Sequence, residues 1–136
     1  MKSINRELKQ FRGSFTDMEN KPIPAYKSGY AFIRDDKGRP TPAPFPYITY
    51  DVVSPNFREN AALTADIWDK NHIPGDFTLI DRVLEQVREK IPAEGVLLGN
   101  IWLKRNPATF TAYMSDPDDQ LITRGIINLI LQNSNL

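Results

Sequence analysis

Arg39-Pro40-Thr41-Pro42-Ala43-Pro44-Phe45-Pro46 runs without a break into Tyr47-Ile48-Thr49-Tyr50-Asp51-Val52-Val53. Proline at every second position removes every second backbone donor and favours the polyproline II region. The first half is therefore excluded from a helix or from the middle of a sheet. In the second half Ile48, Tyr50 and Val52 alternate with Thr49 and Asp51, the period of a strand with one buried face. The stretch reads as an extended arm feeding a β-strand. Ser54-Pro55-Asn56 then turns the chain, and Ala61 to Trp68 reads as a second strand antiparallel to the first.

Helical periods flank this pair. Ile4, Leu8, Phe11, Phe15 and Met18 fall at steps of four, three, four and three, which predicts an N-terminal helix capped by Ser3. Beyond Pro74-Gly75, Ile80, Val83, Leu84, Val87 and Ile91 line one face of a second helix. Thr78 and Asp81 have capping-box spacing, Arg88 and Lys90 suit its C-terminal dipole, and Pro92 ends it. Val96 to Leu103 and Thr109 to Met114 read as the two arms of a hairpin around Lys104-Arg105-Asn106-Pro107-Ala108. Leu121 to Leu131 suits either a helix or a strand. Its Ile-Thr-Ile content and internal Gly125 favour the strand. Between the helices, residues 21–46 read as an extended arm carrying a short strand candidate, Tyr30 to Ile33, and an exposed turn at Asp35 to Gly38. The aromatics Tyr26, Tyr30, Phe32 and Phe45 suggest that the arm orders on a partner. The expected fold is α+β: one domain over residues 1–136, a largely antiparallel sheet with two helices on one face, and a proline-rich arm.

Composition narrows the function classes. The chain has 136 residues, no cysteine, and 17 basic side chains against 17 acidic ones. Thiolate zinc sites, iron-sulfur clusters and cysteine catalysis are excluded together. With zero formal charge there is no global field to draw in nucleic acid or an anionic membrane. The charge is polar along the chain, however. Residues 1–40 hold nine basic and five acidic side chains, while residues 109–136 hold Arg124 against Asp116, Asp118 and Asp119. No run is long and apolar enough to span a membrane, so a soluble product is expected.

No catalytic set stands out, and no cofactor or metal is expected. Asp116-Pro117-Asp118-Asp119 offers oxygens but lacks the glycine and glutamate of a calcium loop, so it reads as an acidic turn. His72 is the only histidine and needs carboxylates from elsewhere to bind zinc or act as a base. A small metal-dependent hydrolase using His72 with the Asp116 to Asp119 turn is one alternative. A cytoplasmic adaptor with a polyproline arm is another. Trp68 and Trp102 lie in apolar strand-like runs and read as core or interface residues.

The order of elements resembles the phage tail terminator, or neck, proteins. The resemblance is carried by an N-terminal helix, the strand Pro46-Tyr47-Ile48-Thr49-Tyr50 with Ser54-Pro55 behind it, a Trp68 strand, the Leu79 to Ile91 helix, a hairpin, and Asp116-Pro117-Asp118 before Arg124-Gly125-Ile126-Ile127-Asn128. It implies a structural head-tail joining protein in the virion, assembled in the bacterial cytoplasm. Such a subunit forms a six-fold ring on the tail tube and contacts a tail-tube protein and a head-completion protein, with no specific nucleic acid or membrane partner. The long Arg34 to Pro44 insertion departs from the family pattern. Arg39, Phe45 and Tyr47 are expected on one contact surface, and Arg105, Asp116, Asp118 and Asp119 on another.

Overall fold

The computed structural model describes residues 15–27, 32–53 and 61–133. In chain order these form β1 (Ala25–Lys27), β2 (Phe32–Arg34), β3 (Pro40–Pro42), β4 (Tyr47–Val53), β5 (Ala61–Lys70), α1 (Thr78–Lys90), β6 (Val96–Leu98), β7 (Ile101–Arg105), β8 (Thr111–Ser115) and β9 (Ile122–Asn133). Seven strands make one mixed sheet in the order β1-β4-β5-β9-β7-β6, with β8 also on β9, while β2 and β3 pair separately. Only β1 and β4 run parallel within the large sheet; its other pairs are antiparallel.

The expected α+β arrangement with two helices is overturned. The described chain is mostly strand, at 47%, with a single helix. Of the N-terminal helical stripe, Ile4, Leu8 and Phe11 lie outside the described residues, while Phe15 and Met18 are not helical. The Asp17 carboxylate explains the break locally. It accepts the N–H groups of Glu19 and Lys21 at 2.8 and 3.0 Å, closing a turn that competes with helix hydrogen bonds. Thr16 is held instead by Gln86 of α1, whose side chain bonds both its N–H and its C=O, at 3.0 and 2.9 Å.

The antiparallel β4–β5 pair is as expected, and Ile122 to Leu131 of the segment read as a strand lie in β9, with Leu121 in the turn before it. The expected hairpin between Val96–Leu103 and Thr109–Met114 does not form. Gly99, at φ 59°, and Asn100 instead turn β6 back on β7, and β7 and β8 then follow one another along the same edge of β9. The proline-rich arm is part of the fold as well. Its Pro40–Pro42 segment pairs with β2 across a turn in which Asp35 accepts the N–H groups of Lys37 and Arg39, and Ala43 is buried.

Helix α1 lies where its stripe predicts. Leu79 is buried, and Ile80, Val83, Leu84 and Val87, followed by Ile91, share one buried cluster with Leu63, Ala65 and Ile67 of β5, Ile127, Leu129 and Leu131 of β9, and Leu103 of β7. The expected capping box does not form. Asp76 caps the helix start by accepting the N–H and hydroxyl of Thr78, and Asp81 accepts the Tyr113 hydroxyl. At the other end Arg105 donates to the carbonyls of Ile91 and Arg88 at 2.7 and 3.2 Å, satisfying acceptors that the helix leaves free. Among the described residues no helix is long and apolar enough to cross a membrane.

Helix and sheet approach each other closely at Gly125 in β9. A Cβ added there would stand 2.6 Å from Ile80 Cγ2 and 3.4 Å from Ile67 Cδ1. Gly125→Ala is expected to destabilise by about 1–3 kcal/mol through overpacking. Combining it with Ile80→Ala should cost less than the sum of the two single variants in urea unfolding. Additive costs would show that the two residues do not meet.

Candidate docking surface

Strand alternation gives the sheet a second face, turned away from α1. Registers align Tyr26 of β1 with Thr49 of β4, Tyr47 of β4 with Trp68 of β5, Trp68 with Arg124 of β9, and Arg124 with Met114 of β8. The side chains continue that row. Tyr26 meets Tyr47 edge-on at 6.2 Å between centroids, Phe45 joins Tyr47 at 5.1 Å, and Tyr47 stacks on Trp68 at 6.3 Å. The Arg124 guanidinium lies 4.8 Å from the Trp68 ring centre, donates to Asp66 at 2.9 Å, and has a nitrogen 3.9 Å from Met114 Sδ. Below the rings, Trp68 Nε1–H donates to the buried Thr49 hydroxyl at 3.0 Å, fixing the indole. Burial in this row raises the Tyr47 phenol above its ordinary pKa.

A second cluster stands further across the same face. Trp102 of β7 faces Leu97 of β6, which is 48% exposed, and the Lys104 ammonium lies 6.0 Å from the Trp102 ring and donates to Gln132. Ala62 and Ile130, Thr64 and Asn128, and Ile126 and Ala112 fill the rungs between. Aromatic, Arg and Met side chains are enriched where proteins dock. Here they are held by ring and cation contacts, so the rotamers of this surface are largely fixed.

The predicted contact residues separate. Phe45 and Tyr47 come together in the row, whereas Arg39 is paired with Asp35 in the β2–β3 turn at 3.3 Å. Arg105 caps α1 and stacks on Phe110, facing Leu129 of β9. Asp116, Asp118 and Asp119 form the β8–β9 turn. Asp116 accepts the Asp118 N–H, while Asp119 accepts the Leu121 N–H and lies 3.8 Å from the Lys70 ammonium. Asp116 bonds to Ile122, so about seven residues of β9, roughly 23 Å of strand, separate this turn from Arg105. They do not make one surface within a single copy. Sequence reasoning missed Arg124 and Met114. Their signal is alternation along β8 and β9, readable only once the register to Trp68 is known.

His72 lies in the loop from residue 71 to 75, which is bound to the acidic hairpin through Asn71 N–H to Leu121 O and Gly75 N–H to Gln120 O. The two halves of the hydrolase alternative thus share one end of the sheet. Yet His72 is exposed, and among the described residues no three His, Cys, Asp or Glu side chains gather as a metal site. A shallow depression of about 430 Å³ there is lined by Pro74, Gly75, Ser115, Asp116, Pro117 and Gln120. No family model matches the sequence, and no curated protein is detectably similar to it.

Two carboxylates at this end titrate in opposite senses. Burial, reinforced by the charge of Asp76, raises the pKa of Asp69, while hydrogen bonds from the Thr78 hydroxyl and N–H lower that of Asp76. With its folded pKa raised, Asp69 favours folding below the ordinary carboxylate value, and that advantage is lost as pH rises through the folded value. Asp76 stabilises above the ordinary value and ceases to do so as pH falls through its lowered one. Asp69→Asn is therefore expected to raise Tm at neutral pH, with the gain fading toward about pH 4. Asp76→Ala should lower Tm at neutral pH. An Asp69→Asn gain independent of pH would contradict the burial of its charge.

Proposed function

We propose that this chain is a structural assembly subunit that acts by docking other proteins, in the manner of a phage tail terminator or neck protein. The observation that carries the reading is the sheet face turned away from α1, with its fixed row Tyr26, Phe45, Tyr47, Trp68, Arg124 and Met114. A contact protein needs a rigid amphipathic surface more than a pocket, and this face provides one. The parts of the tail-terminator resemblance that keep their elements, the Tyr47 and Trp68 strands, the Leu79 to Ile91 helix and the strand holding Arg124 to Asn128, supply the specific form. The subunit joins a ring at the head-proximal end of a tail tube, stops the tube and joins it to the head within a virion assembled in the bacterial cytoplasm.

Such a subunit matches the polymer on one surface and refuses to propagate it on another. Removing the gene from a phage or prophage that carries it should leave filled heads apart from tails, with tails of irregular or excessive length. Joined, normal particles would refute the terminator form. Ala62 and Thr64 are exposed on the face turned away from α1. Ala62→Arg and Thr64→Arg are expected to change stability by no more than about 0.5 kcal/mol and yet fail to complement the deletion. Full complementation by both would move the docking surface elsewhere.

A further inference from the structure

We infer that the outer edge of β8 is a self-pairing edge, at which two copies of this chain join their sheets antiparallel about a two-fold axis at Tyr113. Strand β8 lies on β9, and among the described residues no strand pairs with its other side. Asn128 N–H donates to Phe110 O, and Asp116 N–H donates to Ile122 O. The even-numbered residues of this segment thus spend their backbone groups on β9, which leaves those of Thr111, Tyr113 and Ser115 directed outward. The edges formed by β1 and β6 have three residues each, while β8 has five. Thr111-Ala112-Tyr113-Met114-Ser115 contains neither proline nor charge, the usual guards of an exposed edge. Tyr113 is 46% exposed and Met114 45%.

The edge is complementary to itself in a register centred on Tyr113. Outward groups must face outward groups, so Tyr113 faces Tyr113 and Thr111 faces Ser115, each facing pair exchanging two backbone bonds. Ala112 then faces Met114, small against large, and no like charges are opposed. A slip of two residues in one direction sets Thr111 opposite Pro117, which has no N–H to give. Charge supports the same arrangement. Within one copy Arg105 and the acidic turn lie at opposite ends of β8. Antiparallel pairing carries the Asp116 to Asp119 turn of the second copy to the Arg105 and Phe110 end of the first, and the reverse. A two-fold contact of this kind closes on itself and cannot propagate, so it covers an edge that would otherwise seed open-ended pairing. The inference does not depend on the terminator reading and would hold equally for an adaptor.

The test uses the full chain, which has no cysteine to interfere. On mild oxidation Tyr113→Cys alone should give a disulfide-linked dimer, since facing residues of a hydrogen-bonded pair stand about 5.5 Å apart at Cα, within disulfide reach. Thr111→Cys with Ser115→Cys should also link, while Ser115→Cys alone should not. By sedimentation the unmodified chain should form dimers at concentrations on the order of 100 µM, the range of a small contact. Tyr113→Pro keeps the β9 ladder and removes an outward N–H, and should weaken dimerisation at least about tenfold. Ala112→Asp with Met114→Asp, which sets like charges face to face, gives a second variant if the proline disturbs folding. A chain that stays monomeric, or equal linking by Ser115→Cys alone, would overturn the assignment.

Discussion

The approach of Ile80 to Gly125 governs the architecture. Helix α1 is the single helix among the described residues, and it seats on the sheet where β9 has no Cβ to hold it off. Any side chain there would push on Ile80, which is fully buried with Val83, Leu84 and Val87 on the same stripe. Interiors are packed too densely to absorb such a displacement locally. The contact places the helix over β5, β9 and β7, and by doing so leaves the opposite face of those strands without a cover from α1.

The ends of the helix are fastened by polar groups from the strands and loops around it. At the start, Asn71 donates to the Thr123 hydroxyl, which bonds to the Asp76 carbonyl, so the buried Thr123 is satisfied and the loop from 71 to 75 is drawn against the acidic hairpin. At the finish Arg105 closes the carbonyls of Ile91 and Arg88. An Arg105 committed to a helix end and lying over Phe110 has little freedom to seek a distant partner within its own chain. The row across the face turned away from α1 has a similar economy, with Trp68 fixed by Thr49 beneath it and Arg124 beside it.

Elements with a strong local period were legible in the sequence. The alternation of Ile48, Tyr50 and Val52, the helical stripe from Ile80 to Ile91, and the isoleucine-rich strand containing Gly125 each announce their own conformation. Phe15 and Met18 continued a helical spacing, but the Asp17 carboxylate captured the local N–H groups and nothing in the spacing records that competition. The run from Val96 to Leu103 hid a turn because Gly99-Asn100 sits inside apolar residues. Of the candidate surface, Phe45 and Tyr47 were legible as neighbours. Arg124 and Met114 were not, because the row exists only through registers that join strands far apart in the chain. The acidic turn was recognised as a turn, and much of the length of β9 lies between it and Arg105, a distance that spacing in the sequence does not record.

The proposed function makes the sheet face turned away from α1 the working face of the molecule. Hydroxyl-radical footprinting of the free chain and of assembled particles containing it tests this directly, since Trp68, Trp102, Tyr47 and Met114 are oxidised according to their access to solvent. The account predicts that these four become protected on assembly, while the outer side of α1 changes less. Protection confined to α1, with Trp68 and Trp102 as reactive in the particle as in the free chain, would contradict it.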